Sequence, residues 1–145
     1  MGVSVATPFG APRLISAEEQ AVVERLLEVA TKDAPSRALL DSVGFLIVRS
    51  ECRCGCDAVF FEQSSRLGRR IAWGYGFIRW GCPVELMLWA HGSTISFLEL
   101  APLTGNLARL PAPRSIRPLP RNFSKVRWPC TVPPPRSLIW LPGMP

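Results

Sequence analysis

The amino-acid sequence predicts an α+β fold, in which an N-terminal amphipathic helix packs on a mainly antiparallel sheet of about five strands. Two observations support this prediction. Apolar residues recur with helical spacing after Arg13, and between Val43 and Leu100 they alternate with the two-residue period of strands. Because the helical and strand signals are segregated along the chain, they favour α+β over a parallel α/β sheet. A chain of 145 residues, 48% of them apolar, is long enough for one hydrophobic core.

The first predicted helix lies in the segment LISAEEQAVVERLLEVA. Ser16 and Glu19 have the spacing of a capping box, which places the start of the helix. Pro35 predicts its end near Asp33, because the residue before a proline avoids helical geometry. A second, short helix is predicted from Ser36 to about Asp41. The apolar side of the first helix consists of Val22, Val23, Leu26, Leu27 and Ala30.

Five segments with strand character follow the helices. In the third segment, which runs from Ile71 to Ile78, large residues alternate with small ones. Its glycines, Gly74 and Gly76, predict close packing by another element, or a β-bulge. The last two segments form a predicted hairpin that turns around His91 and Gly92. In chain order the five segments are Val43 to the sequence CRCGC, DAVFFE, the run from Ile71 to Ile78, VELMLWA, and STISFLEL.

The two ends of the chain lack this patterning. Residues 1–12 are predicted to be a flexible N-terminus, residues 13–102 the α+β domain, and residues 103–145 a basic, proline-rich tail that is extended or disordered. Eleven of the fifteen prolines lie beyond Leu100, and proline disrupts both helices and sheet ladders. Residues 1–100 hold ten basic and eleven acidic residues, whereas residues 101–145 hold seven basic and no acidic ones. The net charge of +6 therefore comes from the tail, whose apolar residues favour packing of part of it on the domain.

The most specific chemical feature is a cluster of three cysteines. Thiolates bind zinc, which is the one cofactor that the sequence suggests. Cysteines two apart in a strand lie about 6.6 Å apart, whereas two thiolates on one zinc lie about 3.8 Å apart, so the backbone would have to curl at Gly55. The candidate ligands are Cys52, Cys54, Cys56 and Cys82, with His91 or Cys130 as alternatives for the remaining position.

The alternative interpretation of this cluster is structural. Cysteine behaves as a small apolar residue when it is buried, and the three cysteines continue a predicted buried strand. An odd total of five cysteines also fits poorly with a secreted disulfide framework. Reduced thiols are therefore expected.

The sequence gives little support for catalysis. His91 is the only histidine, and its place beside Gly92 is explained by turn preference. No nucleophile elbow, P-loop or dinucleotide-binding glycine motif occurs, and the carboxylates are scattered singly. A non-enzymatic protein is expected. The chain has no uncharged apolar run of 18 residues and its start lacks signal-peptide features, so a cytoplasmic location without a membrane partner is predicted.

Three functions remain as hypotheses. The first is a module that binds a protein partner in a regulatory or immunity-like role, because five tryptophans exceed what the core needs and aromatic residues favour interfaces. Its candidate contact residues are Trp89, Trp128 and Trp140. The second is a domain stabilised by zinc. The third is nucleic-acid binding through the tail, which is disfavoured because the seven charges are dispersed and no nucleic-acid fold signature occurs.

Three motifs, in their order along the chain, resemble families of small bacterial proteins of unknown function. They are RLISAEEQAVVERLL, SECRCGCDAVFFE and CPVELMLWAHGSTISFLEL. In those families a helix that opens R-x-L-[ST]-x-E-E precedes a compact sheet, some members carry a C-x-C-G-C strand, and a late hairpin resembles V-x-L-x-L-W…G-x-I-S-x-L-E. The resemblance covers Arg13 to about Leu100 and implies an α+β domain but no activity. The long basic tail departs from the short acidic ending of those families.

Overall fold

The computed structural model of the chain describes residues 6–31, 33–52, 56–62, 68–78, 82–103 and 108–120. These residues form two α-helices and seven strands, so the predicted α+β class is confirmed and the predicted number of strands is too low. No described helix is both long enough and apolar enough to cross a membrane. The elements are β1 (Ala6–Leu14), α1 (Ala17–Val29), α2 (Arg37–Ser42), β2 (Ile47–Cys52), β3 (Val59–Phe60), β4 (Arg69–Phe77), β5 (Pro83–His91), β6 (Thr94–Pro102) and β7 (Arg117–Pro118).

The strands form one sheet in the order β1-β2-β3-β6-β5-β4-β7, and each described pairing is antiparallel. The predicted hairpin is present as β5 and β6. Its turn contains Gly92, whose φ of 59° lies in the left-handed region that glycine adopts without strain. The central pair β5–β6 is flanked by β4 on one side and by β3 on the other.

Helix α1 begins where the sequence predicts. The Ser16 hydroxyl accepts the Glu19 backbone N–H at 3.1 Å, and the Glu19 carboxylate accepts the Ser16 N–H at 2.9 Å, so both bonds of the capping box are made. The helix ends earlier than predicted, at Val29 rather than near Asp33. The reason is tertiary: the carbonyl after the helix, on Ala30, accepts the backbone N–H of Trp73 in β4 at 3.1 Å, which draws the chain towards the sheet.

Two edge strands, β1 and β7, account for the difference in strand number. β1 includes residues that the sequence places in a flexible N-terminus, and its end residues Ala6 and Leu14 lie opposite Cys52 and Ile47 in β2. β7 pairs with β4 and contains a proline. Both strands gain order from partners distant in sequence. Proline is tolerated at a sheet edge because one side of the strand needs no donor.

The second strand also begins later than predicted. The sequence pattern starts at Val43, but residues Val43–Phe45 form a 3₁₀ turn and β2 starts at Ile47. The turn is closed by the Leu46 N–H, which donates to the Val43 carbonyl at 3.2 Å. Val43 is fully buried in this position, so its apolar character serves the core without strand geometry.

The small residues of β4 allow close packing on one face of the sheet, as the sequence predicts. A Cβ atom added at Gly74 would lie 3.2 Å from Ala30 and 3.3 Å from Leu26 of the α1 region. One added at Gly76 would lie 2.8 Å from Pro111. Helix α1 and the segment that contains Pro111 therefore cover the same face. We call it the helix face; its central residues are Ala72, Gly74, Leu86, Leu88, Leu98 and Leu100.

Residues 108–120, which the sequence assigns to the tail, pack on the domain. Ala108 and Ile116 are buried, and the Asp57 carboxylate accepts the Leu110 N–H at 2.7 Å. A 3₁₀ turn, Pro113–Ser115, precedes β7. The remaining 25 residues, 121–145, lie outside the described part of the chain.

Replacing Asp57 with alanine is expected to loosen this segment. The substitution leaves the half-buried Leu110 N–H without its acceptor, which costs about 1–2 kcal/mol. The expected result is faster hydrogen exchange at the Leu110 amide, with a fall in global stability that is smaller than this local cost. Asp57→Asn is the matched control because it keeps an acceptor oxygen, and equal exchange rates in both variants would contradict the assignment.

Candidate functional site

The face of the central strands opposite α1 carries large aromatic side chains and two carboxylates. It arises from strand alternation, because residues between the helix-face positions must point to the other side. We call it the open face. Across β4, β5 and β6 its residues stand in three rows: Arg70, Trp89 and Phe97; Trp73, Met87 and Glu99; and Tyr75, Glu85 and Ala101.

Both tryptophans of the open face are hydrogen-bonded to carboxylates. The Trp73 indole N–H donates to Glu85, and the Trp89 indole N–H donates to Glu99 Oε1 at 3.0 Å. These bonds orient the rings and fix a negative charge beside each. Within the described residues, neither carboxylate forms an ion pair. The open face therefore holds two anchored carboxylates that a cation from elsewhere can approach.

A guanidinium already stacks on this face. The central carbon of the Arg70 guanidinium lies 3.7 Å from the centroid of the Trp73 ring, a cation–π contact. Residues three apart in a regular strand point to opposite faces, but the register shifts between Arg70 and Ala72. This β-bulge brings Arg70 to the side of Trp73. The contact shows which chemistry an indole of the open face accommodates.

The apolar area of the open face is partly accessible. Trp73 is 38% exposed, and Met87 and Trp89 are half-buried. Towards β3 the face is closed by the stacked rings of Phe60 and Phe97, whose centroids are 4.1 Å apart. At the opposite edge lies a groove of about 510 Å³ that is shared with the helix face, because its lining includes Ala30 and Ala72 as well as Arg70, Ile71, Trp73 and Trp89.

The structure brings only part of the predicted partner-binding set to this face. Trp89 lies in its first row, whereas Trp128 and Trp140 lie outside the described residues. The sequence patterns alone did not indicate Trp73, Glu85 or Glu99 as site residues. The sequence does contain a signal for the two carboxylates, because β5 and β6 carry carboxylate, methionine and aromatic residues at alternate positions. Their pairing depends on strand register, which composition does not specify.

The predicted metal ligands are not assembled within the described residues. Cys82 takes part in a disulfide and is fully buried, so its sulfur is not the thiolate that zinc requires. The expectation of reduced thiols is thus wrong at Cys82, because pairing follows spatial proximity rather than sequence spacing. Cys52 and Cys56 are half-buried thiols packed against the core, and Cys54 lies outside the described residues.

The described residues contain no group of three or more histidine, cysteine or acidic side chains that could hold a metal ion. His91 lies at the end of β5, with its Nε2 atom 4.0 Å from Glu62 Oε1. Zinc binding therefore stays a prediction that depends on Cys54, with His91 or Cys130 as the remaining ligand, and Cys130 also lies outside the described residues. A structural role for Cys52 and Cys56 agrees with their packing against the core.

A second charged cluster, formed by Arg13, Glu19 and Glu51, is structural. Arg13 makes two bonds of 2.9 and 2.8 Å to Glu19 and one of 3.1 Å to Glu51. Burial acts to raise the pKa of the Glu19 carboxyl, but hydrogen bonds from Arg13 and from the Ser16 backbone outweigh it, so this pKa lies below its ordinary value. The Glu19 bonds raise the pKa of Arg13. The charges of this cluster pair with one another, so they are not available to a ligand. The cluster joins β1, α1 and β2.

No protein-family model, no curated protein and no solved structure matches this chain. The resemblance to families of small bacterial proteins accordingly remains a prediction from motifs. Function is inferred from the geometry of the open face.

Proposed function

We propose that the protein is a non-enzymatic binding module whose open face takes an extended, basic protein segment that contains proline and aromatic residues. The observation that supports this most strongly is the pair of indole–carboxylate units, Trp73 with Glu85 and Trp89 with Glu99. Trp89 with Glu99 offers a stacking surface and a negative charge to one arginine side chain of a ligand. At Trp73 the chain's own Arg70 already stacks on the indole and shows the same kind of contact.

The energetics favour an arginine-containing ligand. A guanidinium over an indole contributes about 0.5–2 kcal/mol, and a partly exposed carboxylate adds up to about 1 kcal/mol. Arg70 on Trp73 shows that such stacking fits the geometry of the sheet. Met87, which lies between Trp73 and Glu99 in register, adds adaptable apolar area.

An extended ligand suits a face of this shape. Aromatic side chains in parallel rows on a sheet present ridges and shallow grooves, and polyproline segments bind such surfaces because their backbone is already extended. Aromatic residues, methionine and arginine are also the residue types enriched at protein interfaces. A regulatory or immunity-like role, as expected from the sequence, is compatible with this binding mode.

The disulfide at Cys82 is unusual for the proposed cytoplasmic location. Disulfides are rare in reducing compartments and frequent in secreted proteins. Mass-spectrometric mapping of cysteine pairs in protein from the native cell is the test. A reduced Cys82 would support the cytoplasm, and an oxidised Cys82 would favour an oxidising compartment.

Substitution of Trp73 by alanine is expected to weaken ligand binding at least about tenfold, because a central aromatic contact contributes more than about 1.4 kcal/mol. The probe is a synthetic 12-residue peptide of alternating arginine and proline with one tryptophan, titrated calorimetrically. Phe45→Ala is the matched control, since Phe45 is 80% exposed on the 3₁₀ turn before β2.

Two results would contradict the proposal. One is equal affinity of the wild type and Trp73→Ala for the peptide. The other is equal affinity of the wild type for a counterpart peptide with glutamate in place of arginine, because the carboxylates Glu85 and Glu99 should repel it.

A further inference from the structure

We infer that the segment bound by the open face is the chain's own C-terminal segment, residues 121–145. This inference rests on the proposed function, because it names the partner of the same surface. The chain would then carry both the binding face and a ligand for it, and the segment would compete with other basic ligands.

The position of the last described residues supports this assignment. β7 (Arg117–Pro118) pairs with Gly74 and Tyr75 of β4, the strand that also carries Trp73. The described chain ends at Pro120, two residues beyond β7. The C-terminal segment therefore starts at the edge of the sheet, next to the strand that carries Trp73.

The length of the segment is sufficient to cross the face. The distance from β4 to β6 is two strand spacings, roughly 10 Å, which about three extended residues cover. The segment has 25 residues. A short tether also gives an effective concentration in the millimolar range, so even a weak contact is populated within one molecule.

The chemistry of the segment complements the open face. It contains four basic residues and no acidic ones, whereas the face presents two carboxylates, Glu85 and Glu99, and one basic residue, Arg70. Its six prolines favour an extended backbone without internal hydrogen bonds. Trp128 and Trp140 supply apolar area for the groove beside Trp73.

A second copy of the chain could offer the same segment to the same face. The tether favours the contact within one molecule, because protein concentrations in the micromolar range lie far below the effective concentration that a short linker provides. The two arrangements differ in a measurable way, since only the second joins different molecules.

Carbodiimide cross-linking of the full chain tests the inference directly, because this reagent joins a carboxylate to an amine in contact with it. The chain has two lysines, Lys32 and Lys125, and only Lys125 lies in the C-terminal segment. In a mixture of ¹⁴N- and ¹⁵N-labelled protein, we expect links from Lys125 to Glu85 or Glu99 within single-isotope molecules. Links of Lys125 only to other carboxylates, or none, would overturn the inference. Mixed-isotope links would overturn it in favour of a second copy.

A competition measurement separates this inference from the proposed function. The full-length double variant Trp128→Ala, Trp140→Ala should bind the arginine–proline peptide at least about tenfold more tightly than the wild type, because the internal ligand is weakened. Equal affinity of the two proteins would overturn the inference and leave the proposed function intact. Failure of both proteins to bind the peptide would overturn the proposed function as well.

Discussion

Replacing Gly74 with valine is expected to lower the free energy of unfolding by about 3 kcal/mol, near the upper end of overpacking effects in well-packed cores. A Cβ atom at this position lies 2.7 Å from the carbonyl oxygen of Arg117 in β7, besides its contacts with α1. A backbone oxygen in a paired strand has little freedom to move. Valine otherwise favours strands, so propensity alone predicts the opposite sign.

The measurement is denaturant unfolding of the purified full chain. A loss of this size corresponds to a fall in melting temperature of roughly 10 °C for a protein of this length. Gly44→Ala is the matched control, because the nearest atom to an added Cβ there is the flexible end of Gln20 at 3.2 Å. Stability of Gly74→Val within about 0.5 kcal/mol of the wild type would contradict the packing of α1 and β7 on β4.

Glu19→Ala is expected to destabilise the protein by about 2 kcal/mol. The substitution removes the reciprocal cap of α1, which contributes about 1 kcal/mol, and leaves Glu51 as the remaining carboxylate partner of Arg13, besides a bond to the Leu14 carbonyl. The ion-pair contribution is discounted because the Arg13 side chain is 35% exposed. Glu18→Ala on the exposed side of the same turn is the control, with an expected loss well below that of Glu19→Ala.

The same cluster predicts a pH dependence of stability. The folded pKa of Glu19 lies below its ordinary value of 4.5, so the unfolded chain binds the proton more readily. The contribution of Glu19 is therefore fully present above about pH 4.5 and is lost as the pH falls through the lower, folded pKa. Glu19→Gln should flatten this acid limb. An unchanged acid limb in that variant would show that Glu19 is not the group responsible.

The elements with local signals were predictable from the sequence. Ser16 and Glu19 specify the start of α1 within four residues, and alternation with a glycine turn specifies the β5–β6 hairpin. The glycines of β4 correctly indicated close packing, because a strand face with so little side-chain volume suits a neighbour that approaches closely. Each of these features is determined by residues within a short stretch of chain.

The remaining features depend on contacts between distant parts of the chain. β1 and β7 are strands only because β2 and β4 offer them partners, and the disulfide at Cys82 follows from proximity in space. The open face was missed for a related reason. Arg70 reaches Trp73 through a bulge, and the pairs of indole and carboxylate depend on register across three strands, which a one-residue shift would destroy.

We expect the open face to select a basic extended ligand through Glu85 and Glu99, a claim that exchanging the charges of these two residues tests. The measurement is the affinity of the wild type and of the full-length double variant Glu85→Lys, Glu99→Lys for the arginine–proline peptide and for its glutamate counterpart. The wild type should prefer the arginine peptide and the variant the glutamate peptide, each by about tenfold or more. The same preference in both proteins would contradict the claim.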